Sequence, residues 1–223
     1  VSQPDEFSSY SNFGVALATS ALVQTSLAKD APSLMEARVF GPLGMAHTTL
    51  REPYQPNNLN VYDLPAPLPP QLAQGLSDGF VWDGATYSPQ PFDHALPLSG
   101  ALGASSTAQD MAVFMSMMLS NGQYGGVQLF NADSARAFRT PMLKVPEGYN
   151  GWASGLMVRA APSGEITYGH GGATLWFNAN MVLVPSLNLG VYIAANTQTG
   201  GPQTQAVIDA AHECMTTRGV HKP

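Results

Sequence analysis

A single cysteine, Cys214, stands among 223 residues, which excludes an internal disulfide and any thiolate cage around a metal. Charge is sparse as well. Asp, Glu, Lys and Arg make up 11% of the chain and the formal net charge is −6, against about a quarter charged residues in ordinary domains. Such a balance argues against a nucleic-acid partner and against an anionic membrane surface, and leaves small-molecule chemistry as the better fit. It also hints that another segment or chain covers part of the surface. No run of about eighteen apolar residues occurs, so no transmembrane segment is expected. Val1 opens the sequence without methionine and without the basic and apolar regions of a signal peptide, and the expectation is a gene product that begins upstream. His47, His94, His212 and His221 lie in unrelated contexts with no partner at i, i+4, so no metal site and no cofactor is expected.

What is present is a globular composition, 44% hydrophobic, in a chain long enough to bury a sizeable core. Residues 1–150 read as a mostly helical region. Residues 15–27 are apolar on nearly every side, the pattern of a buried helix. Residues 33–39 predict a short helix stopped by Gly41-Pro42. Residues 53–70 hold a proline- and asparagine-rich excursion, long enough to roof a substrate pocket. Ser106-Thr107-Ala108-Gln109-Asp110 supplies a hydroxyl cap and an acid in the first turn of a helix that reaches Leu119 and stops at Asn121-Gly122. Its Met111, Met115, Met117 and Met118 read as core packing rather than a binding surface.

From Gly151 onward the pattern becomes one of strands: 155–161, 166–170, 176–184 and 189–196, separated by Pro162-Ser163-Gly164, Gly171-Gly172 and Pro185-Ser186-Leu187-Asn188. Links this short make antiparallel neighbours. A closing helix over 202–215 carries Val207, Ile208, Ala211 and Met215 as a stripe to lay on the sheet. The fold class expected is α+β, with residues 151–223 forming the strands and the final helix.

Four blocks in order carry a family resemblance. They are Tyr10-Ser11-Asn12-Phe13-Gly14; Phe40-Gly41-Pro42-Leu43-Gly44-Met45 with Thr48; the run from Ser99 to Met111; and Tyr168-Gly169-His170-Gly171-Gly172 with Pro185, Leu189-Gly190-Val191 and Asn196. Together they resemble the C-terminal two-thirds of the serine β-lactamase and penicillin-binding-protein superfamily, in its class C β-lactamase and esterase branch. The resemblance implies a β-lactamase/transpeptidase-like fold whose N-terminal strands and nucleophile helix are absent from these residues. It implies acyl-enzyme chemistry on a small ester or amide, in which a serine attacks the carbonyl while a lysine and a tyrosine manage its proton. It also implies a periplasmic or secreted location.

Position by position, Tyr10 matches the tyrosine and Asn12 the asparagine that follows it. Residues i and i+2 of a continuous helix point about 200° apart, so the two share a site only from a turn ahead of the helix, for which Ser8-Ser9 is suited. His170 matches the basic position that opens the closing element. Gly171 stands where β-lactamases carry the Thr or Ser that helps hold a carboxylate, a departure that favours neutral esters. Gly172 follows it, and Ala173 would offer its backbone N–H to an oxyanion.

The family's first element, Ser-x-x-Lys, does not precede Tyr10. Ser26-Leu27-Ala28-Lys29 matches it literally but lies sixteen residues after Tyr10 along an apparently continuous helix, roughly 24 Å away at 1.5 Å per residue. Gly151-Trp152-Ala153-Ser154-Gly155 misses the Gly-x-Ser-x-Gly elbow by one place. The expectation is therefore a chain inactive alone, needing a missing N-terminal segment or a companion chain. Two other readings stay open: a ligand-binding homologue without a nucleophile, and one fragment of a nicked enzyme.

Overall fold

The structure is a computed structural model and describes residues 9–54, 64–96, 98–142, 151–161 and 163–217. Its first element, α1 (Asn12–Ser26), begins where Ser11 turns extended and accepts the Gly14 amide on its side chain, satisfying one of the helix's orphan donors. The expected apolar helix is present but not buried. No residue of α1 is buried, and Phe13 and Leu17 are 70% and 60% exposed. A helix that is apolar all round needs cover all round. Here Ala16, Thr19, Val23 and Ser26 form a half-buried stripe, along which Thr19 packs against Gly100 and the helix touches α2 (Ala31–Met35).

Nor do Gly41-Pro42 stop the next helix. From α2 the chain winds one π-helical turn (Glu36–Phe40) into α3 (Gly41–Leu43) and stops only at Gly44, whose φ of +70° is left-handed. The Gly41 amide reaches back five residues to the Glu36 carbonyl. That wider register carries the chain through Pro42, which has no N–H to give. Arg51 braces the turn. Its Nε and Nη2 each lie 2.7 Å from the two Glu36 oxygens, while Nη1 donates to the Ala66 carbonyl. This forked pair pushes the guanidinium pKa further up.

Of the long excursion, residues 55–63 lie outside the described residues, and with them the pocket-roofing role. Its two ends are joined, the Leu68 amide donating to the Glu52 carbonyl at 2.9 Å. A short helix α4 (Pro70–Ala73) and a hairpin of β1 (Gly79–Trp82) with β2 (Tyr87–Gln90) follow.

The methionine-rich helix forms as expected: α5 (Ala108–Leu119), capped by the Thr107 hydroxyl on the Asp110 amide. Met115, Met117 and Met118 are buried with Phe40, Leu43, Met45, Leu50, Leu156, Met181 and Leu183 in the main core. Asp110 is buried too, its carboxylate accepting the His47 amide and the Thr48 hydroxyl, each at 2.8 Å. Thr49 and Ser105 bond backbone to backbone beside it. A small hairpin, β3 (Gln123–Tyr124) with β4 (Val127–Gln128), and α6 (Ala132–Ala137) complete this part.

Five antiparallel strands then form one sheet in sequence order: β5 (Gly151–Trp152), β6 (Met157–Ala160), β7 (Ile166–Ala173), β8 (Asn178–Val184) and β9 (Leu189–Ala195). The expected α+β arrangement of helices with an antiparallel sheet is what the chain adopts. Gly171-Gly172 do not end β7. They stay in register opposite Asn180 and Ala179, and the turn falls later, where the Thr174 amide bonds the Phe177 carbonyl at 2.9 Å. One sheet face meets α5, which seats Met115 against Gly190. The other meets α7 (Gly201–Thr217). The stripe that α7 turns inward is Thr204, Ile208, Ala211 and Met215; Val207, expected with them, is 46% exposed. Val207 and Ile208 are neighbours about 100° apart on a helix, so only one can lead the inner face.

Candidate active site

Tyr10 sits immediately ahead of Ser11, the cap of α1, and Asn12 is the first residue of that helix. The extended backbone at Ser11 undoes the angular separation that a continuous helix would impose. The two side chains meet, with the Tyr10 hydroxyl donating to Asn12 Oδ1 at 2.7 Å. Ser9 lies with Tyr10 in the lead-in, and Ser8 lies outside the described residues.

His170 approaches from the sheet. Its ring centroid is 5.9 Å from that of Tyr10. A third ring completes the cluster: Trp152 in β5 lies 5.6 Å from Tyr10 and 5.9 Å from His170. The sequence had offered Trp152 only inside a chance match to another motif. The signal for it would have been a lone aromatic at the edge of the sheet, opposite Met157 in the β5–β6 pair, and that is visible only once the pairing is known.

His170 Nδ1 lies 2.5 Å from the Gly171 carbonyl oxygen. A carbonyl only accepts, so this contact assigns the proton to Nδ1 and leaves Nε2 as the nitrogen available to other groups. Strand geometry aims the neighbouring backbone. The Ala161 amide bonds the Glu165 carbonyl at 2.8 Å, and antiparallel bonding alternates from there. Thr167 and Gly169 therefore point their peptide groups at Arg159 and Met157, the pairing that closes β6. Gly171 and Ala173 point the same way but lie past the end of β6. Their N–H and C=O groups line the edge on which the His170 ring is tied.

The two glycines have different neighbours from Gly169. A Cβ at Gly169 would collide with the Met181 carbonyl oxygen, whereas at Gly171 it would meet nothing nearer than the Ala179 oxygen at 3.8 Å, and at Gly172 nothing within 4 Å. Neither Gly171 nor Gly172 has a positive φ. The chain's own packing thus does not require glycine at these two positions, and the edge stays clear of side chains.

Ser26 is not part of this cluster. It closes α1, its hydroxyl bonded to the Val23 carbonyl at 3.1 Å, about 22 Å from the helix start at 1.5 Å per residue. Of the other histidines, His94 pairs with Glu52 and His212 with Ser163 and Glu165; His221 lies outside the described residues. A cavity of about 200 Å³ between the sheet and α7 is lined by Val182, Val184, Val191, Ile208 and His212 among others, and His170 also contributes to its lining.

The family model described as Beta-lactamase matches residues 1–213. The chain belongs to the β-lactamase family. A "Putative D-alanyl-D-alanine carboxypeptidase" of Escherichia coli K12 is 26% identical to this β-lactamase-family chain over 185 residues, covering 78% of it and 42% of the relative. An "N-acetylmuramyl-L-alanine amidase" of Bacillus subtilis is 31% identical over 104 residues, covering 44% of the chain and 23% of the relative. Among solved structures, the octameric penicillin-binding protein homologue of Pyrococcus abyssi superposes with a TM-score of 0.74 at 20% identity, over 96% of the chain and 44% of that protein. A class C β-lactamase of Rhodobacter sphaeroides gives 0.70 at 16% identity, over 93% and 60%. At such identities the structures speak for the fold alone. The chain spans less than half the length of the curated relatives it matches. No helix among the described residues is long and apolar enough to cross a membrane.

Proposed function

We propose that this chain supplies the tyrosine and histidine side of a serine-hydrolase active site whose nucleophilic serine lies outside these 223 residues. The observation that carries the reading is the convergence of Tyr10, Trp152 and His170 within 6 Å of one another, centroid to centroid, at an edge where β7 outruns β6. In this reading Tyr10 reacts as the phenolate: the serine oxygen attacks the carbonyl carbon of an ester or small amide while its proton passes to the phenolate oxygen, which becomes the phenol. Asn12 can follow the change, since its carboxamide presents an acceptor to the phenol and a donor to the phenolate. The oxyanion is held by the Ala173 N–H together with the nucleophile's own amide. The leaving group departs with the proton, and water then attacks the acyl carbon and releases the serine.

Gly171 supports neutral or weakly polar acyl groups, because no hydroxyl stands where a carboxylate would be held. The relatives, a putative D-alanyl-D-alanine carboxypeptidase and an N-acetylmuramyl-L-alanine amidase, favour peptides and amides of cell-wall type and with them a periplasmic or secreted location. Ester hydrolysis and labelling by a serine-directed phosphonate, measured on the whole protein, test the proposal. Turnover with a labelled serine supports it; binding of the phosphonate's ester analogue without turnover or labelling replaces it with a ligand-binding role.

A further inference from the structure

The turn after Ala173 is held from outside by a segment that no motif marks. Thr174 and Phe177 close the turn, which leaves the Leu175 amide, second in the turn, without a partner inside the hairpin. Asp93 takes it, with Oδ2 2.7 Å from the Leu175 nitrogen. Asp93 is itself held by its neighbours. His94 Nδ1 lies 2.6 Å from Glu52 Oε2, and the Ala95 amide donates to Glu52 Oε1 at 2.8 Å. The Phe92 ring packs tilted against His94, centroids 5.0 Å apart. Glu52 is 1% exposed, and its own carbonyl receives the Leu68 amide. A buried carboxylate with both oxygens occupied is a fixed post, because freeing it would leave charge and donors unpaired. On the other inner residue of the turn, Trp176, the backbone of Gly79 rests so closely that a Cβ there would collide with the Trp176 Cβ.

We infer that Asp93 is a positioning residue for the reaction: strung from the buried Glu52 post by His94 and Ala95, it fixes the β7–β8 turn and through it the Ala173 amide that faces the oxyanion. The inference rests on the role proposed above for Ala173. Its chemistry is that of a charge-assisted hydrogen bond to a backbone donor two residues from the working one. A shift of about 1 Å in such a donor costs on the order of 100-fold in rate, so a partial loosening of the turn is expected to cost about tenfold.

The test compares Asp93→Ala and Asp93→Asn in the whole protein, with an activated ester as substrate and amide hydrogen exchange as an independent readout. Asp93→Ala is expected to lower kcat about tenfold, with KM changed less than about threefold, and to speed exchange at Leu175. Asp93→Asn keeps an acceptor oxygen and is expected to restore both. An unchanged kcat in Asp93→Ala overturns the inference. So does a loss in KM alone, or an equal loss in both variants. If the unaltered protein hydrolyses no ester, the proposed function fails and the catalytic part of the inference with it, while exchange at Leu175 still decides whether Asp93 holds the turn: faster exchange in Asp93→Ala, restored in Asp93→Asn, shows that it does, and unchanged exchange shows that it does not.

Discussion

The Tyr10 hydroxyl donates to Asn12 Oδ1 at 2.7 Å across the first cap of α1. The contact fixes where the phenol oxygen stands relative to the His170 ring, and it predicts unequal costs for two substitutions. Tyr10→Phe removes the proton acceptor and is expected to lower kcat about 10²- to 10⁴-fold. Asn12→Ala leaves the phenol in place but free to swing, and about tenfold is expected. Both variants should keep wild-type unfolding midpoints, because Tyr10 is 55% exposed. A Tyr10→Phe enzyme with full kcat would show that the phenol is a bystander.

Trp152 yields a prediction of a different kind. Its ring touches both Tyr10 and His170 but carries no acid or base suited to the chemistry. Trp152→Phe should keep the wall of the site and change kcat/KM by less than about threefold, whereas Trp152→Ala should lose ten- to a hundredfold as both rings lose their packing. Equal kinetics for the Phe and Ala variants would mean that the ring matters only to the fold of β5.

How far the sequence spoke depended on whether the deciding contact was local. Thr107 and Asn188 mark element ends because a cap or a left-handed residue acts on amides a few positions away, and these ends fell where the pattern put them, whereas α1 starts at Asn12, three residues ahead of the expected 15. Gly41-Pro42 misled, since a π turn changes which carbonyl the Gly41 amide can reach. Gly171-Gly172 misled in the same way: a glycine pair is compatible with a turn, but β8 pairs with both residues and keeps them extended. Tyr10, Asn12 and His170 were legible through the order of four blocks. Trp152 and Asp93 were not, because each meets a partner eighteen or eighty-two positions away, His170 and Leu175 respectively, for which one sequence carries no pattern.

Asp110 is the clearest stability test. Buried at 6% exposure, its carboxylate is the shared acceptor for the His47 amide and the Thr48 hydroxyl. Asp110→Ala takes the acceptor from the part-buried His47 amide and leaves the Thr48 hydroxyl with Ser106 as its partner, 2.8 Å away, and is expected to destabilise by about 2 kcal/mol. Asp110→Asn, which retains one acceptor oxygen, should lose about half of that. Urea unfolding of the whole protein measures both, and a loss under about 1 kcal/mol for the Ala variant would show that water replaces the carboxylate.

Acid should act at the corner where Ser163, Glu165 and His212 meet. The Ser163 hydroxyl is the main cause that holds the Glu165 carboxyl below its ordinary 4.5, with a backbone hydrogen bond and His212, 3.5 Å away, adding to it. A carboxyl whose folded pKa is depressed stabilises the fold above its unfolded value and loses that contribution as the pH falls through the folded one. Ser163→Ala should therefore melt below wild type at neutral pH, and the gap should close as the pH drops beneath 4.5. A gap that stays constant across that range would assign the effect to packing rather than to ionisation.

Gly171 offers a gain-of-function test of the substrate reading. There is room for a side chain at this position and no left-handed backbone to forbid one, so Gly171→Thr is expected to fold with a stability change within about 1 kcal/mol. A hydroxyl at this position, the one that the family resemblance assigns to carboxylate binding, would give a substrate carboxylate a donor that the native chain lacks. The expected result, in the whole protein, is improved kcat/KM toward carboxylate-bearing amides, including β-lactams, by about tenfold, with activity on neutral esters unchanged or reduced. If carboxylate-bearing substrates gain nothing while the variant stays folded and active on esters, the absence of a hydroxyl at position 171 does not set the preference, and the acyl group must be selected by another part of the site.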